Sequence, residues 1–285
     1  MSKANALYQK LVPINNRKHL SLRVKEQVNF SFAKNCNAAI LTTAEFEKAS
    51  KIYPVLFVRD GDNIVSCALF GIEQGQNLFL KWNHQWDALY IPASIRRYPF
   101  SLAEVVHEQK KDHIVCIDED SPLTGRQGEY SLFQKNGKQS QYLKEKIQFL
   151  QEYQVEYENT LLFVNTLKKL ELLEPMSANI NLVNGETISI TGFYTISKEK
   201  FRNLNKDQYY ELIQNDNMKL IYEHFSSLDN FASLIDKIAE KKVISGQVQK
   251  VKKSQVKKPS TDSGRRVKQP SEKKVQQKIK DAVEG

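Results

Sequence analysis

Cysteine is scarce in this chain: Cys36, Cys67 and Cys116 are the only three in 285 residues. An odd count with no CxxC pair and no metal-ligand spacing argues against a disulfide framework or a zinc ribbon. Cys67 and Cys116 lie in apolar runs and read as buried, reduced thiols. Long apolar runs are missing as well. No stretch approaches the roughly 18 to 20 residues that span a bilayer. The first twenty residues lack the apolar h-region and small-residue cleavage site of a classical signal peptide. The expectation is a cytoplasmic protein. A nucleophile elbow, a phosphate loop and a dinucleotide fingerprint are also lacking, and the glycines of residues 71–75 and 128–133 stand at turn spacing. No cofactor and no metal is implied.

Charge is present but unevenly placed. The net formal charge is +9, yet residues 241–285 alone hold fourteen Lys or Arg against four acids, leaving 28 bases and 29 acids in the rest. Aromatics end at Phe231. A Lys-, Gln-, Ser- and Pro-rich segment cannot bury enough apolar surface to offset its ordering entropy, so 243–285 reads as a disordered tail behind a globular body of 1–242. Twelve lysines against two arginines favour delocalised attraction to an anionic partner, whether nucleic acid, acidic protein or lipid surface. A solubilising extension is the plain alternative. The near-neutral body has no such attraction of its own.

Within the body, Thr42-Thr43-Ala44-Glu45 has capping-box spacing and predicts a helix to about Lys51. YPVLFV (53–58) and IVSCALFGI (64–72) flank Asp60-Gly61-Asp62-Asn63 as a hairpin. NLFL (77–80) reads as a further strand and IVCI (114–117) as another. Ser101-Leu102-Ala103-Glu104 repeats the capping-box spacing and predicts a helix to about Lys111. From Ser140 to about Leu173, apolar positions at Leu143, Ile147, Leu150, Tyr153, Tyr157, Leu161, Val164 and Leu167 mark one helical face, with Pro175 as its stop and a break admitted near 158–160. INLVNGETISI (180–190) is a hairpin around Asn184-Gly185. Helices follow at 198–204, 206–215 and from Leu220 to about Lys242, with Ser197 and Asn205 as N-caps. These elements describe an α+β fold, a mainly antiparallel sheet packed against one long helix and C-terminal helices.

Several stretches fall in order onto one family: LTTAEFEKASKIYPVLFV (41–58), ALYIPASIRRYPF (88–100), HIVCIDEDSP (113–122), LLEP (172–175), GFYTISKEKFRNL (192–204) and IYEHFSSLDNFASL (221–234). Over roughly residues 8 to 240 the chain resembles the bacterial SapC family, which is distinct from the peptide-transporter permease of the same name. The resemblance implies an association with bacterial surface layers and with outer-surface or uptake functions. It implies no molecular activity.

Two constellations can carry chemistry. In the first, prolines at 92 and 99 stiffen a loop presenting Arg96 and Arg97, whose guanidinium forks suit a carboxylate or phosphate. Trp82, His84 and Trp86 lie just upstream as candidate walls of the same pocket. Against this, one arginine pairs with an acid of the body while Tyr98 and Phe100 fill the core. In the second, Asp118 and Glu119 follow the IVCI strand and His113 precedes it, where active sites often place acids and bases. An ordinary solvated turn explains the same residues. The reading is a non-enzymatic accessory protein of a bacterial surface-layer or envelope system, binding a protein or small molecule through Arg96, Arg97 and Tyr98. One alternative is an enzyme acting on a peptide or amino-acid-like substrate. The other is a scaffold tethered by its tail.

Overall fold

A computed structural model describes residues 7–107, 110–181 and 187–244. The tail from residue 245 onward and the 184–185 turn therefore lie outside the described residues, while residues 243 and 244 belong to the last helix. Along the chain, β1 (Leu11–Pro13), β2 (Arg23–Val24) and β3 (Ala38–Ile40) precede a short helix, α1 (Phe46–Ala49). The strands β4 (Val55–Asp60) and β5 (Asn63–Leu69), the turn α2 (Ala93–Arg96), and the strands β6 (Phe100–His107), β7 (Lys110–Asp118), β8 (Thr124–Gly125) and β9 (Tyr130–Ser131) follow. The long helix α3 (Gln141–Lys169) leads into β10 (Leu173–Asn181) and β11 (Thr187–Ile196). The helices α4 (Lys198–Arg202), α5 (Lys206–Gln214), α6 (Asn217–Ser227) and α7 (Phe231–Ile244) close the described chain.

Among the described residues three antiparallel sheets result, in the orders β1-β7-β6, β10-β11-β4-β5-β3 and β8-β2-β9. The β4–β5 hairpin forms because both arms are rich in β-branched and aromatic residues and Gly61, at φ 60°, accepts the tight turn. The capping box at Thr42 and Glu45 is present. Cys67 and Cys116 are buried free thiols. Among the described residues no helix is long and apolar enough to cross a membrane.

Helix α3 is the spine. At 1.5 Å per residue it runs about 43 Å, and its stripe serves two cores. Leu143 and Leu150 pack with Tyr98, Phe100 and Ile117 beneath the two three-stranded sheets. Phe163, Val164 and Leu167 pack with Phe46, Phe57 and the C-terminal helices on the five-stranded sheet. The helix is continuous through 158–160, because buried Thr160 stays in register, bonding its own turn at Glu156 O while accepting Thr43 N at 2.9 Å.

Other expectations change. Residues 101–107 form a strand, not a helix, since β6 pairs in register with β7 from Phe100↔Ile117 to His107↔Lys110. The capping-box spacing there is outweighed by that ladder and by Val105 and Val106, which favour strand. Pro175 does not end α3. It lies in β10, an edge strand that tolerates a missing N–H. The helix ends earlier in a Schellman motif: Glu171 takes φ 53°, Leu172 N bonds Leu167 O and Glu171 N bonds Lys168 O. NLFL is not a strand; only Leu80 forms a bridge, to Trp86. The helix expected from Leu220 begins at Asn217 and is interrupted by a tighter turn at Leu228–Asn230.

Candidate functional site

Glu45 builds the arginine turn. Its Oε2 accepts Thr42 N and Thr42 Oγ1, each at 2.9 Å, and its Oε1 accepts Tyr90 Oη at 2.8 Å and Ala93 N at 2.7 Å. A buried carboxylate with four donors fixes both its own helix start and the start of α2. Gln27 adds a second tie, donating from Nε2 to Ile95 O at 3.2 Å and Tyr98 O at 3.3 Å.

From this turn the two guanidinium groups reach different rings of α3. Arg96 lies 5.2 Å from the Phe149 ring centre and 5.8 Å from that of Tyr90, and its Nε donates to Ile91 O. Arg97 lies 4.6 Å from the Tyr153 ring centre, one helical turn further along. Neither arginine has an acid partner among the described residues, so the pairing with a body acid is not found. Tyr98 and Phe100 do fill the core, at 3% and 1% exposure, and Tyr98 stacks on Phe32 at 4.0 Å.

Beside the arginines, a cleft of about 480 Å³ opens between the first half of α3 and the β8-β2-β9 sheet, with Lys25, Tyr98, Tyr130, Tyr142, Lys146 and Phe149 in its lining. Tyr130 and Tyr142 stack in parallel at 4.4 Å, and Lys146 Nζ lies 5.4 Å from the Tyr142 ring centre. Arg23 holds the Tyr130 wall by donating to Gly128 O, Ser131 Oγ and Glu129 O. Burial lowers the Lys146 pKa, and the nearby Arg96 charge lowers it further. The stacked rings offer an apolar face to one ligand, and Lys25 and Lys146 in the lining are matched by Glu26 and Glu145.

The other sequence candidates sit elsewhere. Trp86 is buried and donates from Nε1 to Tyr53 Oη at 2.8 Å, while Trp82 is 93% exposed. His84, at φ 62°, is exposed and its carbonyl accepts Phe30 N. No hydrogen bond or ring contact among the described residues joins these three to the arginines. His113 is half-buried on β7 opposite Glu104, and lies five positions from Asp118, so the two side chains leave opposite faces of the strand.

Asp118 is buried and its oxygens are occupied. Oδ1 accepts Lys10 N at 2.8 Å, and Oδ2 accepts Gln9 N at 3.0 Å and Tyr98 Oη at 3.2 Å. Glu119 binds Lys10, Lys18 and His19, at 3.1, 2.5 and 2.9 Å. The hydrogen bonds from Lys18, His19 and Lys10 bring its carboxyl down to about 2. These acids fasten the N-terminal segment to the end of β7. Among the described residues no group of three His, Cys, Asp or Glu side chains is placed to hold a metal.

Sequence reasoning missed the partners that α3 supplies. No motif marks Lys146 or Phe149, and Tyr153 and Tyr157 read from the sequence only as apolar positions of a core stripe. The signal was there, since a core face carrying tyrosine as often as leucine brings hydroxyls that need partners. No curated protein and no solved structure compared with the chain matches it. The SapC family model matches residues 14–234, over half of the chain, and the protein belongs to the SapC family.

Proposed function

We propose that this protein is a non-enzymatic binding component of a bacterial surface-layer or envelope-associated system, and that it holds its partner at the Arg96–Arg97 turn and the adjoining cleft. One observation carries the reading. Two adjacent guanidinium groups, without acid partners among the described residues, stack on successive turns of α3 beside a cleft with two stacked tyrosines. Unpaired cations over aromatic rings are preorganised for an anionic ligand with an apolar body. The engagement of Asp118 and Glu119 in structural ties supports binding over catalysis. The surface-layer setting is what the family resemblance implies.

The test is retention from a native envelope fraction on immobilised full-length protein. A specific component should be retained by the wild type and lost, by about tenfold or more, from Arg96→Ala/Lys146→Ala with an unchanged unfolding midpoint. Equal retention by the double variant overturns the reading. So does steady turnover of a peptide or amino acid by the purified protein.

A further inference from the structure

Tyr153 is 5% exposed, yet its hydroxyl has no hydrogen-bond partner. The Nε of Arg97, equally sealed, has none either, and the Arg97 Cζ lies 4.6 Å from the Tyr153 ring centre. Two orphaned polar atoms in contacting side chains are uncommon, because a buried polar atom left unsatisfied loses its bonds to water without replacement. Both are donors. Arg97 has no acceptor lone pair and stays charged at any ordinary pH. Burial pushes the Tyr153 phenol up, against the pull of Arg97, so it keeps its proton. The neighbouring Tyr8 hydroxyl donates to Phe100 O at 2.9 Å and its oxygen accepts a hydrogen bond from the Arg97 side chain, which leaves Arg97 Nε itself without a partner.

Two acids near this group do not serve it. Glu45, felt by Tyr153, spends both oxygens on Thr42, Tyr90 and Ala93. Asp118, felt by Tyr8, spends both on Gln9, Lys10 and Tyr98. The corner thus holds one half-buried positive charge, an Arg97 Nε–H and a Tyr153 hydroxyl without partners, and aromatic walls. Arg97 as a whole is only half-buried, although its Nε is sealed.

We propose that Arg97 and Tyr153 form an anchor for one carboxylate group of the ligand, with the ligand's body lying toward Phe149 and the cleft. A carboxylate supplies two in-plane acceptors for the guanidinium fork and the phenol, and its single negative charge balances the single positive one. A phosphate dianion brings a second charge that this corner does not balance. The inference rests on the reading of this face as the binding surface and specifies its anchor.

The experiment follows the Arg97 Nε–Hε resonance of uniformly ¹⁵N-labelled full-length protein, assigned by its loss in Arg97→Lys. Sodium acetate, sodium phosphate and sodium chloride are titrated at matched ionic strength. A saturable shift with acetate is expected, weakened about tenfold in Tyr153→Phe, which removes one charge-assisted hydrogen bond and no ring. An acetate response no larger than that of chloride overturns the proposal, as does an acetate affinity unchanged in Tyr153→Phe or a response to phosphate alone. A cross-peak from Nε–Hε to a bound water that acetate does not displace also overturns it. If the anchor fails while envelope capture still depends on Arg96 and Lys146, the binding face stands without this carboxylate. If capture fails while acetate binds, the wider reading falls and the anchor remains.

Discussion

Glu45 Oε1 accepts the backbone N–H of Ala93 at 2.7 Å, so the acid that caps the first helix also starts the turn carrying both arginines. Glu45→Ala leaves four donors without their acceptor in a buried place. The expected loss is about 3 to 5 kcal/mol, read from urea unfolding. Glu45→Gln, which keeps one acceptor oxygen, should lose less. A Glu45→Ala protein within about 1 kcal/mol of the wild type would show that the turn is held by something else.

Asp118 closes the N-terminal segment onto β7 through Gln9 N and Lys10 N. Asp118→Ala should therefore free the two amides to exchange and cost about 3 kcal/mol. Asp118→Asn, with an oxygen still facing the amides, should retain part of the protection. Amide exchange at positions 9 and 10 that is unchanged in Asp118→Ala would remove Asp118 as the clasp.

Sequence patterns showed most of the elements and the rigid arginine loop, but not what the loop faces. The β4–β5 hairpin was legible because Gly61 and the alternating arms act within a dozen residues. The stripe from Leu143 to Leu167 was legible because helical spacing repeats along α3. Residues 101–107 were misread because their decisive partner, β7, lies across the hairpin, and a local cap signal cannot report a ladder. The site depended on longer reach still. Arg97 meets Tyr153 across 56 positions of chain, and nothing local to either residue encodes that contact. Trp82 and Trp86 show the converse, since near neighbours in sequence were parted by a turn that buries one and exposes the other.

Glu119 supplies an acid-range prediction. Its folded-state pKa lies at about 2, below the ordinary 4.5, because Lys18, His19 and Lys10 favour the carboxylate. Its contribution to stability is present above about 4.5 and is lost as pH falls from there towards about 2. Glu119→Gln should flatten that part of the stability curve, and added salt should do the same to the wild type, since Lys10 and Lys18 are exposed. Identical acid limbs for the two proteins would show that the cluster contributes nothing measurable.

His224 gives the matching prediction at higher pH. It is fully buried, its Nδ1 donates to Val55 O at 2.9 Å, and its Nε2 accepts Ile196 N at 3.1 Å and lies 3.0 Å from Thr195 Oγ1. This arrangement requires the neutral ring, because a proton on Nε2 would face the donating N–H of Ile196. Burial brings its pKa down from 6.5 to about 3; the Val55 bond opposes that shift and the Lys198 charge adds to it. The unfolded chain therefore takes up a proton below about 6.5 that the folded chain refuses. Stability carries the full His224 contribution above about 6.5 and falls as pH drops from there towards about 3. His224→Gln can donate to Val55 O and accept from Ile196 N without titrating. It should be less stable near neutral pH yet show a flatter dependence of urea midpoint on pH between 6.5 and 4. Parallel slopes for wild type and variant would mean that the proton excluded by the fold belongs to another group. A steeper slope in the variant would reverse the assignment of the neutral tautomer.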